Sequence, residues 1–318
     1  MYRKFVILLV IIFALSGCGQ SGVSKAPGFS GKIYFESNRF PGKSYLENTG
    51  TSYYTGKKVV DFHKDWWNPQ ISKDGSNLVY HHFVRGEERE GRFYVLDIKS
   101  GKNKEHNVSI DGTLEFEWLP DNKKVGLLGK EITGSGEKIW NIYVYDTSNK
   151  NLKKLTNNKI PEIFIRQFSF SPDGKRIVYG IPKTGAFESY LAVRIIDVDT
   201  KEVKELPFAS GNMAWSPEGK AIVLSGTYYE EDGKMNLGSR IIFYDVSSDD
   251  YRIMEKPGGK KAFQYIEEPC YSPDGSKIAF IRVENSGAKT LWMMDADGNN
   301  WKQLLSGIGH IDSISWGE

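Results

Sequence analysis

The stretch "FSFSPDGKRIVYG", Phe168 to Gly180, is written nearly again as "MAWSPEGKAIVLSG" and "PCYSPDGSKIAFIR". Each copy is an apolar strand, a turn and a second apolar strand. Pro presets φ for the turn, and an acidic residue follows. Gly then supplies the positive φ of a three-residue hairpin with a bulge. Two degenerate copies, "ISKDGSNLVY" (71–80) and "WLPDNKKVGLL" (118–128), complete a series spaced by 47, 52, 45 and 56 residues. Asn122 replaces Gly in one copy and keeps the backbone requirement, since Asn tolerates the left-handed region. Spacings of this size belong to propeller blades of four strands and not to helical solenoids.

A second turn follows each hairpin. Apolar strands end in Asp97, Asp146, Asp197, Asp245 and Asp295, where Asp can accept backbone N–H groups two residues on. Each unit therefore reads as strand a, hairpin turn, strand b, variable loop, strand c, Asp turn, strand d. The ends are incomplete. "GKIYFESNR" (31–39) is a strand b without a strand a, and "DSISWGE" (312–318) is a strand a without a strand b. Paired together they make one more blade and leave no sheet edge open. The expectation is an all-β, six-bladed propeller of four-stranded antiparallel blades over residues 31–318, its first blade closed by the C-terminal strand.

The first residues read differently. "MYRK" precedes an 11-residue apolar run, Phe5 to Leu15, too short to span a membrane and suited to a signal peptide. "LSGC", Leu15 to Cys18, resembles the lipobox of bacterial lipoproteins. That resemblance implies cleavage after residue 17 and lipid on the Cys18 sulfur, with residues 18–30 as a flexible tether. The remaining chain carries 40 basic and 40 acidic residues, which excludes a basic field for nucleic acid. Cys270 is then alone and reads as a small buried apolar residue.

The repeated units resemble the PD40 repeats of the TolB-like propeller family, and are similar to the propeller domains of prolyl oligopeptidase relatives. The resemblance implies that strand a lines a central channel and starts at the face bearing the d–a and b–c loops. The residue three before the aromatic of each strand a then falls at the channel mouth: Asn68, Glu115, Gln167, Asn212, Glu268 and Ser313, all polar. Such a ring suits a polar ligand, a peptide terminus or a cation. Long loops on that face, with Trp66, Trp67, Arg166, Tyr228, Tyr229 and His310, suit protein recognition.

The TolB family carries an α/β domain before its propeller, whereas here only the tether precedes the repeats. No nucleophile elbow, phosphate loop or zinc-spaced Cys/His set occurs, so no catalytic residue, metal site or cofactor is assigned. The expected function is a monomeric binding module, lipid-anchored and extracytoplasmic, for a cell-envelope protein or a small polar ligand. The alternative is a channel enzyme acting on polysaccharide or sugar, with His63 and His310 holding a metal.

Overall fold

The computed structural model describes residues 30–39, 50–82, 91–110, 115–158, 167–182, 191–229, 235–254, 265–307 and 310–318. They form strands joined by turns and bends, with no helix among them. Three strands open the chain: β1 (Lys32–Ser37), β2 (Gly50–Tyr54) and β3 (Val59–Lys64). The next sheet is β4 (Trp66–Ile71), β5 (Asn77–His82), β6 (Arg92–Asp97) and β7 (Asn103–Asn107). It is followed by β8 (Phe116–Trp118), β9 (Lys124–Ile132), β10 (Lys138–Asp146) and β11 (Leu152–Lys154). A seven-stranded sheet comes next, with β12 (Phe168–Phe170), β13 (Arg176–Pro182), β14 (Leu191–Asp197), β15 (Val203–Trp215), β16 (Ala221–Tyr229), β17 (Met235–Asp245) and β18 (Asp250–Met254). The last sheet is β19 (Tyr265–Tyr271), β20 (Lys277–Val283), β21 (Lys289–Asp295) and β22 (Lys302–Leu305). Finally β23 (Ile311–Gly317) pairs back onto β1, with Ile33 opposite Trp316 and Tyr34 opposite Ser315. The fold is an all-β propeller of antiparallel four-stranded sheets.

The expected six separate blades meet four four-stranded sheets and one seven-stranded sheet among the described residues. The difference lies in β15. Its first residues pair with β14, Val203 opposite Ile196 and Glu205 opposite Arg194, and its last with β16, Met213 opposite Leu224 and Trp215 opposite Ile222. No turn breaks this 13-residue strand, so an outer strand of one unit runs straight on as the inner strand of the next.

Hydrophobic cores lie between successive units, because each sheet is apolar on both faces. Val79 and Phe93 meet Trp118 and Leu127, while Leu128 and Ile142 meet Phe168 and Ile177. Ile281 and Leu291 of the last sheet pack against Ile33, Phe35 and Trp316 of the first. Burying each such side chain contributes about 1.5–3 kcal/mol. Gly126 is set by this packing, since a Cβ there would fall 2.3 Å from the Phe170 ring.

The Asp turns hold as expected in four copies. Asp97 accepts from Ser100 N–H, Asp146 from Ser148, Asp197 from Asp199, and Asp245 from Ser247. Asp295 departs, pairing with Lys277 and accepting from the Asn300 amide instead.

Candidate functional site at the central channel

Strands β4, β8, β12, β15, β19 and β23 wall a central cavity of about 220 Å³. An inner strand has no strand beside it on the channel side, so its backbone groups there need other partners. Side chains of the preceding inner strand supply them. Glu117 accepts from Phe170 N–H at 2.8 Å, Gln167 from Met213 N–H at 2.9 Å, Asn212 from Glu268 N–H at 3.1 Å, and Ser315 from Ile71 N–H at 3.0 Å. Trp118 and Trp215 donate their indole N–H groups backwards, to the carbonyls of Gln70 and Ser169.

The predicted ring largely gathers at one level. Glu115, Gln167 and Glu268 line the cavity. The Gln167 amide reaches past β15 to Glu268 at 3.3 Å, and the Asn68 amide reaches Glu115 at 3.4 Å. Asn212 holds the Glu268 backbone. Ser313 occupies the same place on β23, half-buried and outside the cavity lining. Asn68, Glu268 and Ser313 share a positive φ near 50°, each at a register shift of its strand pair. A bulge at the mouth re-aims one side chain per strand.

Electrostatics set the cavity's character. Burial, together with repulsion from Glu268, pushes the Glu115 carboxyl up to about 8. Glu117 is raised to about 8 by burial, against its bonds from Ser169 and Phe170. Glu268 is raised to about 7 by burial and by the nearby Asp312 and Glu267. Beside the mouth, Lys289 bridges Glu267 at 2.8 Å and Asp312 at 2.6 Å, and those partners keep it charged despite burial. Glu117 is a residue that counting back to the mouth misses. It sits one tier deeper, two positions on from Glu115, where the other copies carry Gln70, Ser169, Ala214, Cys270 and Ser315.

Residues 28–318 match the model of the TolB beta propeller domain, PD40. The chain belongs to this family. Among solved structures, TolB from Acinetobacter baumannii aligns at 19% identity with a TM-score of 0.66, over 91% of this chain and 67% of that one. The putative TolB from Agrobacterium tumefaciens aligns at 18% identity and 0.58, over 89% of this chain and 91% of that one. The tricorn protease aligns at 11% identity and 0.54, over 90% of this chain and 30% of its own. At such identities the likeness is one of fold. No curated protein sequence matches the chain.

Within this TolB-type propeller the remaining expected residues scatter. Trp66 was expected on a recognition loop. It lies instead in β4, buried between the His63 ring at 3.9 Å and the Tyr80 ring at 3.8 Å. An indole stacked between rings of β3 and β5 loses its surface to packing and presents none to a partner. Trp67, next in the same strand, is half-buried and pairs with His81. Tyr228 and Tyr229 belong to the end of β16, opposite Asn236 and Met235. His310 pairs with Asp312 beside the mouth, and its N–H meets Asn38.

His63 does not join His310. It stands on β3, the outermost strand of the sheet whose innermost strand is β23, so three strand spacings of about 4.8 Å separate them. The channel-metal alternative loses its ligand pair on that ground. Cys270 lines the cavity, and burial followed by the Glu268 charge raises its thiol, which favours an inert packing role. Arg166, Cys18, the signal segment and most of the tether lie outside the described residues, as do the 83–90, 183–190 and 230–234 loops.

Proposed function

We propose that the chain is a non-catalytic binding module of the cell envelope, a six-bladed ring held to a membrane by lipid on Cys18. Counting the two halves of the seven-stranded sheet as blades sharing β15 gives six inner strands around one cavity. The bound species is a protein segment or small polar ligand at the channel mouth. The observation that carries this reading is the convergence of Glu115, Gln167 and Glu268 from the inner edges of three sheets on one cavity. Structural needs account for Asn212 and for the Gln167 oxygen, which serve neighbouring backbone. They do not account for the carboxylates of Glu115 and Glu268, which accept one long bond each among the described residues. Trp67 and His310 extend the contact surface around the mouth.

The test is recovery of a specific partner from detergent-solubilised membranes by the full chain, compared with a Gln167→Ala/Glu268→Gln double variant. The expected result is one partner, or one retained ligand, enriched by the wild-type chain and depleted at least tenfold by the variant. Recovery unchanged by the variant would remove the mouth from the reading. Fatty-acid labelling that persists in Cys18→Ser would remove the lipid anchor.

A further inference from the structure

Three half-buried carboxylates open into a space with little positive charge around it. Glu115, Glu117 and Glu268 all line the cavity, and Lys73, exposed on the β4–β5 turn at the far rim, is the one basic residue among its described lining. The basic group beside the mouth, Lys289, already holds Glu267 and Asp312. Hydrogen-bonding capacity is also left over. One oxygen each of Glu115 and Glu268 has no hydrogen bond among the described residues, and the Gln70 side-chain amide makes none there either. The rest of the wall is apolar, with Phe168, Ile314, Trp215 and Trp316 among its members.

We propose that this cavity takes a slender organic cation, an alkyl chain carrying primary ammonium groups, with Glu115 and Glu268 holding one nitrogen and Glu117 a second. The inference rests on the channel as binding site and names the ligand class. A space of about 220 Å³ is well above what a single water needs, so it has room for a slender ligand. Tier spacing sets the shape. Glu115 and Glu117 are two residues apart on one strand line, about 6.6 Å, which is the separation of the nitrogens in extended 1,4-diaminobutane. Methylene groups between them would lie against the apolar wall. Anions are excluded by charge, and a neutral diol gains nothing from the carboxylates. A free diamine and a lysine side chain of a bound protein share this chemistry.

A cation and a proton compete for the same carboxylates. Glu115 and Glu117 ionise near 8 and Glu268 near 7, so affinity rises from pH 6 to pH 8.5 as their protons leave. Glu36, Glu267 and Asp312 add negative charge at the mouth, Lys289 and the distant Lys73 oppose it, and the His310 ring stands against Asp312. The experiment is isothermal titration of the detergent-solubilised full chain at pH 6 and pH 8.5. The probes are 1,4-diaminobutane, butane-1,4-diol, succinate and a short lysine-bearing peptide.

Saturable diamine binding is expected, at least tenfold tighter at pH 8.5 and at least tenfold weaker in Glu117→Gln. That variant keeps acceptor and donor for Phe170 and Ser169, and Glu268→Gln serves as a second. Binding of the lysine peptide alone would assign the same chemistry to a protein partner. Equal binding of diol and diamine would overturn the cation while leaving a ligand site. No binding by either amine probe, with a partner still captured through Gln167 and Glu268, would overturn the cavity inference and leave the proposed function standing.

Discussion

The hydroxyl of Ser171 accepts the N–H of Arg176 at 2.8 Å and donates to Asp173 at 2.6 Å. Ser72 does the same with Asn77 and Asp74, and Ser272 with Lys277 and Asp274. All three serines are buried, so each closes a turn whose donor water cannot reach. Removing the hydroxyl leaves Arg176 N–H with only its geometry and costs about 1–2 kcal/mol. Ser171→Ala is therefore expected to lower the urea midpoint, and more than Pro172→Ala, whose effect is confined to about 0.4–1 kcal/mol through the unfolded chain. Equal midpoints for Ser171→Ala and the wild type would refute this account. Pro172, Asp173 and Gly174 were legible because turn chemistry demands them by position. Ser171 recurs in the repeat as Ser72, Ser216 and Ser272, but its role was not legible, since its partner lies five residues on. The copy with Leu119 shows the substitute: Asp121 alone takes the N–H groups of Lys123 and Lys124.

Strand-level irregularity explains what the sequence reading of the site caught and what it lost. The mouth ring was legible because six copies carry a polar residue three before a large apolar one, aromatic in five and Ile71 in the first. The tier below was not, because only Gln70 and Glu117 are large and polar there, against Ser169, Ala214, Cys270 and Ser315. Nor could alternation show the bulges, which break the period of two. Their backbone carries a cost. A non-glycine residue near φ 50° costs about 1–2 kcal/mol, and Glu268 and Ser313 both stand there. Ser313 tests this cleanly, since its side chain lies outside the cavity lining. Ser313→Gly is expected to raise the denaturation midpoint by the equivalent of about 0.5–1 kcal/mol, and Ser313→Val to lower it by more. Indistinguishable midpoints for the three proteins would mean that the bulge stores no strain. Trp66 stands in a strand and not on a loop for a related reason. The stretch around Asp65 turns within two residues into β4, so the aromatic pair enters a sheet instead of crowning a loop.

Closing the molecule joins residues nearly a chain length apart, and the ends do it with side chains as well as backbone. Bringing such distant segments together costs about 5 kcal/mol of loop entropy. Ile311, Ile314 and Trp316 are buried in return, at roughly 1.5–3 kcal/mol apiece, so their burial is of the same size as that cost. The Trp316 indole adds a bond to the Ser30 carbonyl at 2.7 Å, and Ser315 binds both Ile71 N–H and the Pro69 carbonyl. The seal therefore clamps β4 as well as β1. A chain ending before Ile311 is expected to lose hydrogen-exchange protection in residues 32–37 and 66–71 together, because both inner edges open at once. Should that chain fail to fold, Trp316→Ala keeps the question open to measurement. It is expected to cost about 3–5 kcal/mol and to weaken protection in the same two segments before any other. Protection lost first in β12 or β16, far round the ring, would mean that the seam is not the structure's weakest joint.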